Sequence, residues 1–199
     1  MPIIECGETM LTIIDYKAGN LTSVKLAFAA LGVETRVTSD PVEIRAADRL
    51  VFPGVGAAAS AMDNLRSAGL VDTLREVTAA GTPFLGICLG MQILFDHTEE
   101  DGGTDTLGIL PGQVRRFPMV PDCKIPQIGW NQVNDAEEYY FVHSYYVEMN
   151  PFAIGTTEYA GVRFASLVRK DNILASQFHP EKSGRIGLKF LTDFLSWNP

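Results

Sequence analysis

The chain has 199 residues, enough to bury roughly 70% of its unfolded surface in one core without disulfides or metal. Hydrophobic residues make up 46% and charged residues 20%, a globular rather than a disordered composition. Sixteen Lys and Arg against twenty-four Asp and Glu give a net charge of −8, which argues against nucleic acid and anionic membrane surfaces as partners.

Taken in chain order, residues 11–14 form a short apolar run ending at Asp15 and read as a first strand. Leu21, Val24, Leu26, Phe28 and Leu31 recur at helical spacing and stop at Gly32. Residues 33–37 read as a second strand and 49–52 as a third, cut off by Pro53-Gly54. Residues 57–80 are helical in two pieces broken near Gly69. A fourth strand over 83–87 runs straight into a helix over 89–96. The 19 residues 77–95 carry no charge, yet Gly81, Pro83, Gly86, Gly90 and Gln92 suit a buried strand–turn–helix better than a membrane span. Beyond Leu107, residues 113–117, 139–147, 162–168 and 173–178 read as strands with few helices between them, and 186–197 as a closing amphipathic helix. Short apolar strands alternating with helices predict a mostly parallel sheet covered on both faces. The expected fold is α/β, a three-layer α/β/α sandwich with an antiparallel extension, in a single domain over residues 1–199.

Cys6, Cys88 and Cys123 are odd in number and widely spaced, so neither a disulfide framework nor a zinc knuckle is legible. The first basic residue is Lys17, which lacks the pattern of a signal peptide and makes the cytoplasm the expected compartment. The acidic segment 99–105 reads as a solvated face, and His97 before it as a capping or solvated residue.

The strongest chemical signal is Gly86-Ile87-Cys88-Leu89-Gly90. A nucleophile between two glycines, after an apolar strand and before a helix, is a nucleophile elbow with Cys in place of Ser. The tight turn lifts the sulfur clear of the sheet, the helix start favours thiolate, and the Leu89 N–H is placed to hold an oxyanion. The plainer alternative is a buried core cysteine. A thiolate nucleophile wants a base, and His97, His143 and His179 are the histidines available. His179 precedes Pro180, which disfavours helical backbone, and an extended segment would point His179 and Glu181 the same way. Glu181 would then orient the imidazole; the alternative is an incidental surface turn. Pro53-Gly54-Val55-Gly56 ends the third strand on the same sheet edge as the elbow, where Gly54 and Val55 could turn a backbone N–H toward a substrate carbonyl.

Together these blocks resemble the class I, triad-type glutamine amidotransferases, and within them the glutaminase subunits of imidazole glycerol phosphate synthases. The resemblance runs from Leu11 to the C-terminus; residues 1–10 lie outside its pattern. It rests on Asp15-Tyr16-Lys17-Ala18-Gly19-Asn20-Leu21, Pro53-Gly54-Val55-Gly56, Gly86-Ile87-Cys88-Leu89-Gly90-Met91-Gln92 and Gly108-Ile109-Leu110-Pro111-Gly112. It continues through Ile128-Gly129-Trp130-Asn131, Phe141-Val142-His143-Ser144-Tyr145-Tyr146 and Gln177-Phe178-His179-Pro180-Glu181-Lys182-Ser183. Two positions depart from the pattern: Lys17 stands where the family usually has Gly, and Gln127 where it usually has His.

The resemblance implies that a Cys88–His179–Glu181 triad hydrolyses glutamine to glutamate and ammonia, without cofactor or metal. It implies an oxyanion held by Leu89 and by Gly54 or Val55, and substrate contacts from Gly54, Gly56, Gln92, His143, Ser144 and Tyr145. Gln92 shares a helix face with Cys88, as residues four apart do; the three residues after Val142 would otherwise read as ordinary buried strand. The ammonia would pass to a separate (β/α)8-barrel cyclase subunit, in a heterodimer making imidazole glycerol phosphate and AICAR in histidine biosynthesis. Asn20, Trp130, Tyr140 and Lys182 are the candidates for that interface and the ammonia exit, with Trp130 and Tyr140 equally readable as core aromatics. The flexible Gly54-Val55-Gly56 segment would reorient when the partner binds. The alternatives are a glutaminase serving another synthase, a stand-alone cysteine hydrolase, and a binding subunit without activity.

Overall fold

Three wholly buried strands carry the frame: β1 (Leu11–Ile14), β3 (Arg49–Gly54) and β4 (Phe84–Cys88). In each, alternate side chains serve opposite faces of the sheet, as the period-2 geometry of a strand requires. Leu11, Ile13, Val51, Leu85 and Ile87 face one core, together with Val24, Phe28, Leu191 and Phe194 from helices α1 (Leu21–Ala30) and α6 (Gly184–Ser196). Ile14, Leu50, Phe52 and Phe84 face the other, against α3 (Ala58–Ser67) and α4 (Leu70–Ala79). This is the expected three-layer sandwich. The computed structural model describes residues 10–17, 20–121 and 123–199; Cys6 and the Ala18-Gly19 part of the first motif lie outside the described residues.

The parallel half of the sheet runs β2 (Thr35–Thr38), β1, β3, β4, β13 (Ile173–Ser176). The antiparallel extension continues through β12 (Val162–Lys170), β10 (Tyr145–Val147) and β7 (Gln113–Arg116), with β11 (Ala153–Tyr159) paired to β12. A short hairpin of β5 (His97–Thr98) and β6 (Thr104–Asp105) closes that side. Apart from this sheet, β8 (Gln127–Gln132) and β9 (Glu138–His143) pair as a two-stranded ribbon. Its turn places Asn134 and Asp135 at φ 55° and 54°, with the Ala136 N–H bonded to the Val133 carbonyl, the twist a tight hairpin prefers.

Several expectations need correction. The third strand does not stop at Pro53: Pro53 and Gly54 pair with Ile87 and Cys88, which sets the two loops side by side. The elbow helix α5 (Leu89–Gln92) is one turn rather than two, because the carbonyls of Ile93, Leu94 and Phe95 accept from the amides of residues 107–110 instead. The single strand expected over 139–147 is broken at Ser144, whose carbonyl accepts from the Phe117 N–H, so β9 and β10 enter different sheets. A short helix, α2 (Pro41–Arg45), begins where Asp40 accepts from the Val42 N–H at 2.8 Å. Finally, residues 99–105 are mostly exposed as expected, but Glu100 turns inward: it accepts from the Ala58 N–H at 2.7 Å and so caps α3. Glu99 binds Arg115 and the Arg116 N–H, and His97 pairs with Asp105 at 2.9 Å.

Candidate active site

Cys88 ends β4 and opens α5 with φ 54° and ψ −109°, a conformation that costs a non-glycine residue about 1–3 kcal/mol and persists only where its surroundings enforce it. The enforcement is tight packing: a Cβ on Gly90 would collide with the carbonyl of Phe52, and one on Gly86 would lie 2.8 Å from the Gly90 carbonyl. The sulfur is buried but lines a cavity of about 380 Å³ with Val55, Gly56, Leu89, Tyr145 and His179. Because α5 is a single turn beginning at Leu89, the Leu89 N–H has no carbonyl a turn back to bind.

His179 reaches the same cavity from the end of β13. Its backbone is extended, as its neighbour Pro180 requires, with φ −98° and ψ 95°. The Tyr140 carbonyl accepts its N–H at 2.9 Å, and Ser183 Oγ donates to its carbonyl at 2.6 Å. Glu181 Oε1 lies 2.8 Å from His179 Nδ1, with the two side chains 1% and 2% exposed. The contact is not made by an extended segment as expected. A 3-10 turn over Pro180–Lys182 folds Glu181 back under the ring. Asn20 Nδ2 donates to the same carboxylate oxygen at 3.2 Å. His179 Nε2 is buried without a conventional hydrogen bond. Burial pushes the His179 pKa down, but Cys88 and Glu181 outweigh it and lift the pKa to about 10. Both neighbours of the ring, the sulfur on one side and the carboxylate on the other, thus favour its charged form.

Of the other expected contacts, Gly56, Gln92, His143, Ser144 and Tyr145 line the cavity. Gln92 spends both amide hydrogens within the protein, on the Tyr145 carbonyl at 2.8 Å and on Gln177 Oε1 at 2.9 Å. His143 bonds the same Tyr145 carbonyl through Nδ1 at 2.7 Å. Burial pushes its pKa down to about 4, so the ring is neutral with its hydrogen on Nδ1. Nε2 is then an acceptor, and the Gln127 amide 3.0 Å away must present its NH2 there. With both nitrogens committed, His143 braces the cavity wall. Gly54 is not among the lining residues; it lies behind Val55, paired with Cys88.

Residues 12–196 match the family profile of class-I glutamine amidotransferases. The chain belongs to that family. The HisH subunit of imidazole glycerol phosphate synthase from Dehalococcoides mccartyi (strain ATCC BAA-2266 / KCTC 15142 / 195) is 47% identical over 198 residues, covering 93% of this chain and 96% of the relative. The HisH subunit of Herpetosiphon aurantiacus is 45% identical over 199 residues, covering 94% and 93%. Among solved structures, a glutamine amidotransferase superposes with a TM-score of 0.70 at 21% identity, over 92% of this chain and 96% of that one. Another, from Thermotoga maritima, gives 0.61 at 17% identity over 94% and 82%. These two likenesses speak to the amidotransferase fold.

On this amidotransferase the four interface candidates are neighbours. Trp130 is 55% exposed, and its ring meets that of Tyr140 edge-on at 6.3 Å. Lys182 Nζ stands 6.0 Å from the centre of the Tyr140 ring, and Asn20 sits on Glu181. Trp130 is thus not a core aromatic, and Tyr140 is half-buried. Lys17 adopts φ 64°, the left-handed backbone that explains glycine as the usual residue there. Three residues beside the site escaped the sequence reading. Gln177 Nε2 donates to Cys88 Sγ at 3.7 Å, Glu100 lines the cavity, and Tyr16 packs behind it. Gln177 and Tyr16 belong to the motifs named above, but nothing in their spacing marks which polar side chain turns inward. Among the described residues, no cluster of three His, Cys, Asp or Glu is placed to hold a metal, and no helix is long and apolar enough to cross a membrane.

Proposed function

We propose that this chain hydrolyses glutamine to glutamate and ammonia through Cys88, His179 and Glu181. The ammonia passes to a separate (β/α)8-barrel cyclase subunit that makes imidazole glycerol phosphate and AICAR in histidine biosynthesis. The supporting observation is the strained Cys88 lining one cavity with His179, whose Nδ1 is 2.8 Å from a buried carboxylate. Thiolate and imidazolium are the reactive pair in that arrangement.

The Cys88 sulfur attacks the side-chain carbonyl carbon of glutamine, and the carbonyl oxygen becomes an oxyanion. The Leu89 N–H receives it, joined by an N–H of the Gly54-Val55 segment after reorientation. His179 gives its proton to the departing nitrogen, ammonia leaves, and a thioester to the γ-carbon remains. The now neutral His179 takes a proton from water, whose oxygen attacks the thioester and releases glutamate. Glu181 fixes the ring and offsets its charge throughout. Gly56, Gln92, Ser144 and Tyr145 frame the substrate, with Gly54 and His143 behind them. The exposed Trp130, half-buried Tyr140 and Lys182, beside Asn20, form the face that meets the partner in a cytoplasmic heterodimer. The chain acts as one domain and needs no cofactor.

Glutamine hydrolysis is to be measured for the chain alone, with the barrel subunit, and with the barrel plus its nucleotide substrate. Activity should be low alone and rise on assembly. Cys88→Ala should abolish glutamine-dependent synthesis and leave ammonia-dependent synthesis intact. Rapid hydrolysis by the isolated chain would favour a stand-alone hydrolase; retained glutamine-dependent synthesis in Cys88→Ala would remove Cys88 from the nucleophile's role, and loss of both syntheses would point to misfolding or to a wrong assignment.

A further inference from the structure

Tyr16 lies just past β1, is 1% exposed, and its hydroxyl makes no hydrogen bond. A buried hydroxyl without a partner is costly, and each such group in a native protein calls for an explanation. Packing fixes its position: the ring lies against Phe52 with centroids 4.9 Å apart. Its oxygen abuts the bare Cα of Gly54, since a Cβ there would stand 2.6 Å from the Tyr16 oxygen and 2.7 Å from the Gly90 nitrogen. Burial first, and then the charge of Cys88, push the phenol pKa upward, so the group remains an O–H donor. Tyr16 does not line the cavity; Val55 and Gly56, the residues that follow Gly54, do.

The side of Gly54 on which this donor sits gives it a use. The N–H and C=O of a trans peptide point in opposite directions. When the Gly54–Val55 peptide turns its N–H into the cavity, the Gly54 carbonyl turns away from it, toward the Tyr16 side. Gly54 carries no side chain to obstruct either the rotation or the approach. We propose that Tyr16 is a positioning residue whose hydroxyl waits unpaired in the resting protein and donates to the Gly54 carbonyl once that peptide has turned to serve the oxyanion. The inference rests on the reading of Cys88 as nucleophile and of the Gly54–Val55 peptide as part of the oxyanion site.

The test is Tyr16→Phe, which removes the oxygen and keeps the ring. The full chain is assembled with the barrel subunit and its nucleotide, and kcat and KM for glutamine are measured. Alkylation of Cys88 by iodoacetamide and the melting temperature of the chain are measured beside them. One hydrogen bond supporting an oxyanion donor predicts a fall in kcat of about tenfold to a hundredfold. KM should stay within about twofold, as expected for an interaction made only in the transition state. Alkylation should be unchanged, because displacement of iodide by the sulfur builds no oxyanion, and the melting temperature should hold or rise. An unchanged kcat overturns the proposal. So does an equal loss of hydrolysis and alkylation, which would mean that Tyr16 only packs the elbow. If the unmutated chain hydrolyses no glutamine in any mixture, the underlying reading fails and takes this one with it. If the unmutated chain is active and Tyr16→Phe equals it, this inference alone fails.

Discussion

Gln177 donates a hydrogen bond to the sulfur of Cys88 across 3.7 Å, from a side chain with no exposure to solvent. Its other amide atom accepts from Gln92, which also binds the Tyr145 carbonyl that His143 holds. A buried polar chain thus runs from the β8–β9 ribbon to the nucleophile, and each member fixes the orientation of the next. Gln177→Leu keeps the approximate volume but removes the donor to sulfur. Hydrogen bonds to charged groups are worth about 1.5–3 kcal/mol, so kcat/KM for glutamine should fall by about tenfold or more. Alkylation of Cys88 at neutral pH should slow with it, which separates this effect from the one expected at Tyr16. An alkylation rate equal to that of the parent chain would mean that the contact does not support the thiolate.

Glu181 acts on the other member of the pair. Glu181→Gln keeps an oxygen near His179 Nδ1 and removes the charge that helps lift the His179 pKa to about 10. Glutamine turnover should drop by about a hundredfold or more, as when the orienting carboxylate of a triad is neutralised. The sign of the pH effect follows from linkage. A histidine held at about 10 when folded and 6.5 when unfolded stabilises the fold fully below pH 6.5 and loses that contribution as pH rises toward 10. The stability gap between parent and Glu181→Gln, read from urea midpoints, should therefore narrow between pH 6.5 and 10. A gap that widens over that range would contradict the assignment.

The parts of this molecule legible in sequence are those where backbone demand and residue type coincide. Gly86, Gly90 and Pro180 occupy positions that few other residues tolerate, so the elbow and the His179 turn are marked by residue type alone. The double-sided core was legible for the same reason, in the unbroken apolar runs of β1, β3 and β4. What escaped was set by tertiary partners. The one-turn α5 stops because a distant segment claims the carbonyls of residues 93–95, and the break at Ser144 depends on Phe117. Nothing local to residues 89–96 or 139–147 records those contacts. Glu100 illustrates the same point: in an acidic run it looks solvated, yet it caps α3 and lines the cavity. Likewise, the inward positions of Gln177 and Tyr16 depend on distant partners: the Gln177 N–H bonds the Ser166 carbonyl, and the Tyr16 ring packs on Phe52.

His143 supplies an acid-side prediction. It is buried and neutral, its pKa pushed down to about 4 from an ordinary 6.5 chiefly by burial. Between those values the unfolded chain binds a proton there and the folded chain does not, so stability falls as pH drops from 6.5 toward 4. The slope for one such group is at most about 1.4 kcal/mol per pH unit. His143→Gln retains hydrogen-bonding capacity without the titration. Its urea midpoint should be less sensitive to acid over that window than the parent's, even if its stability at pH 7 is lower. Equal acid sensitivity in the two proteins would show that His143 is already charged or solvent-accessible when folded.

The elbow should be intolerant of a single methyl group at Gly90, whereas the adjoining loop should tolerate one at Gly56. At Gly90 an added Cβ would strike the carbonyl of Phe52, and that carbonyl belongs to β3, which is locked between β1 and β4. Neither backbone has a direction in which to yield, so Gly90→Ala should cost about 4 kcal/mol or more, in the range of severe core lesions. Gly56 has φ +96° but no atom within 4 Å of its virtual Cβ, so Gly56→Ala should cost only the conformational strain, about 1 kcal/mol. Thermal melts of the two variants and the parent test the difference. Gly90→Ala should also lose Cys88 alkylation selectivity because the sulfur is no longer held at its strained turn, whereas Gly56→Ala should retain it. Near-parental melting of Gly90→Ala would mean that β3 and α5 can separate, and the enforced geometry of Cys88 would need another source.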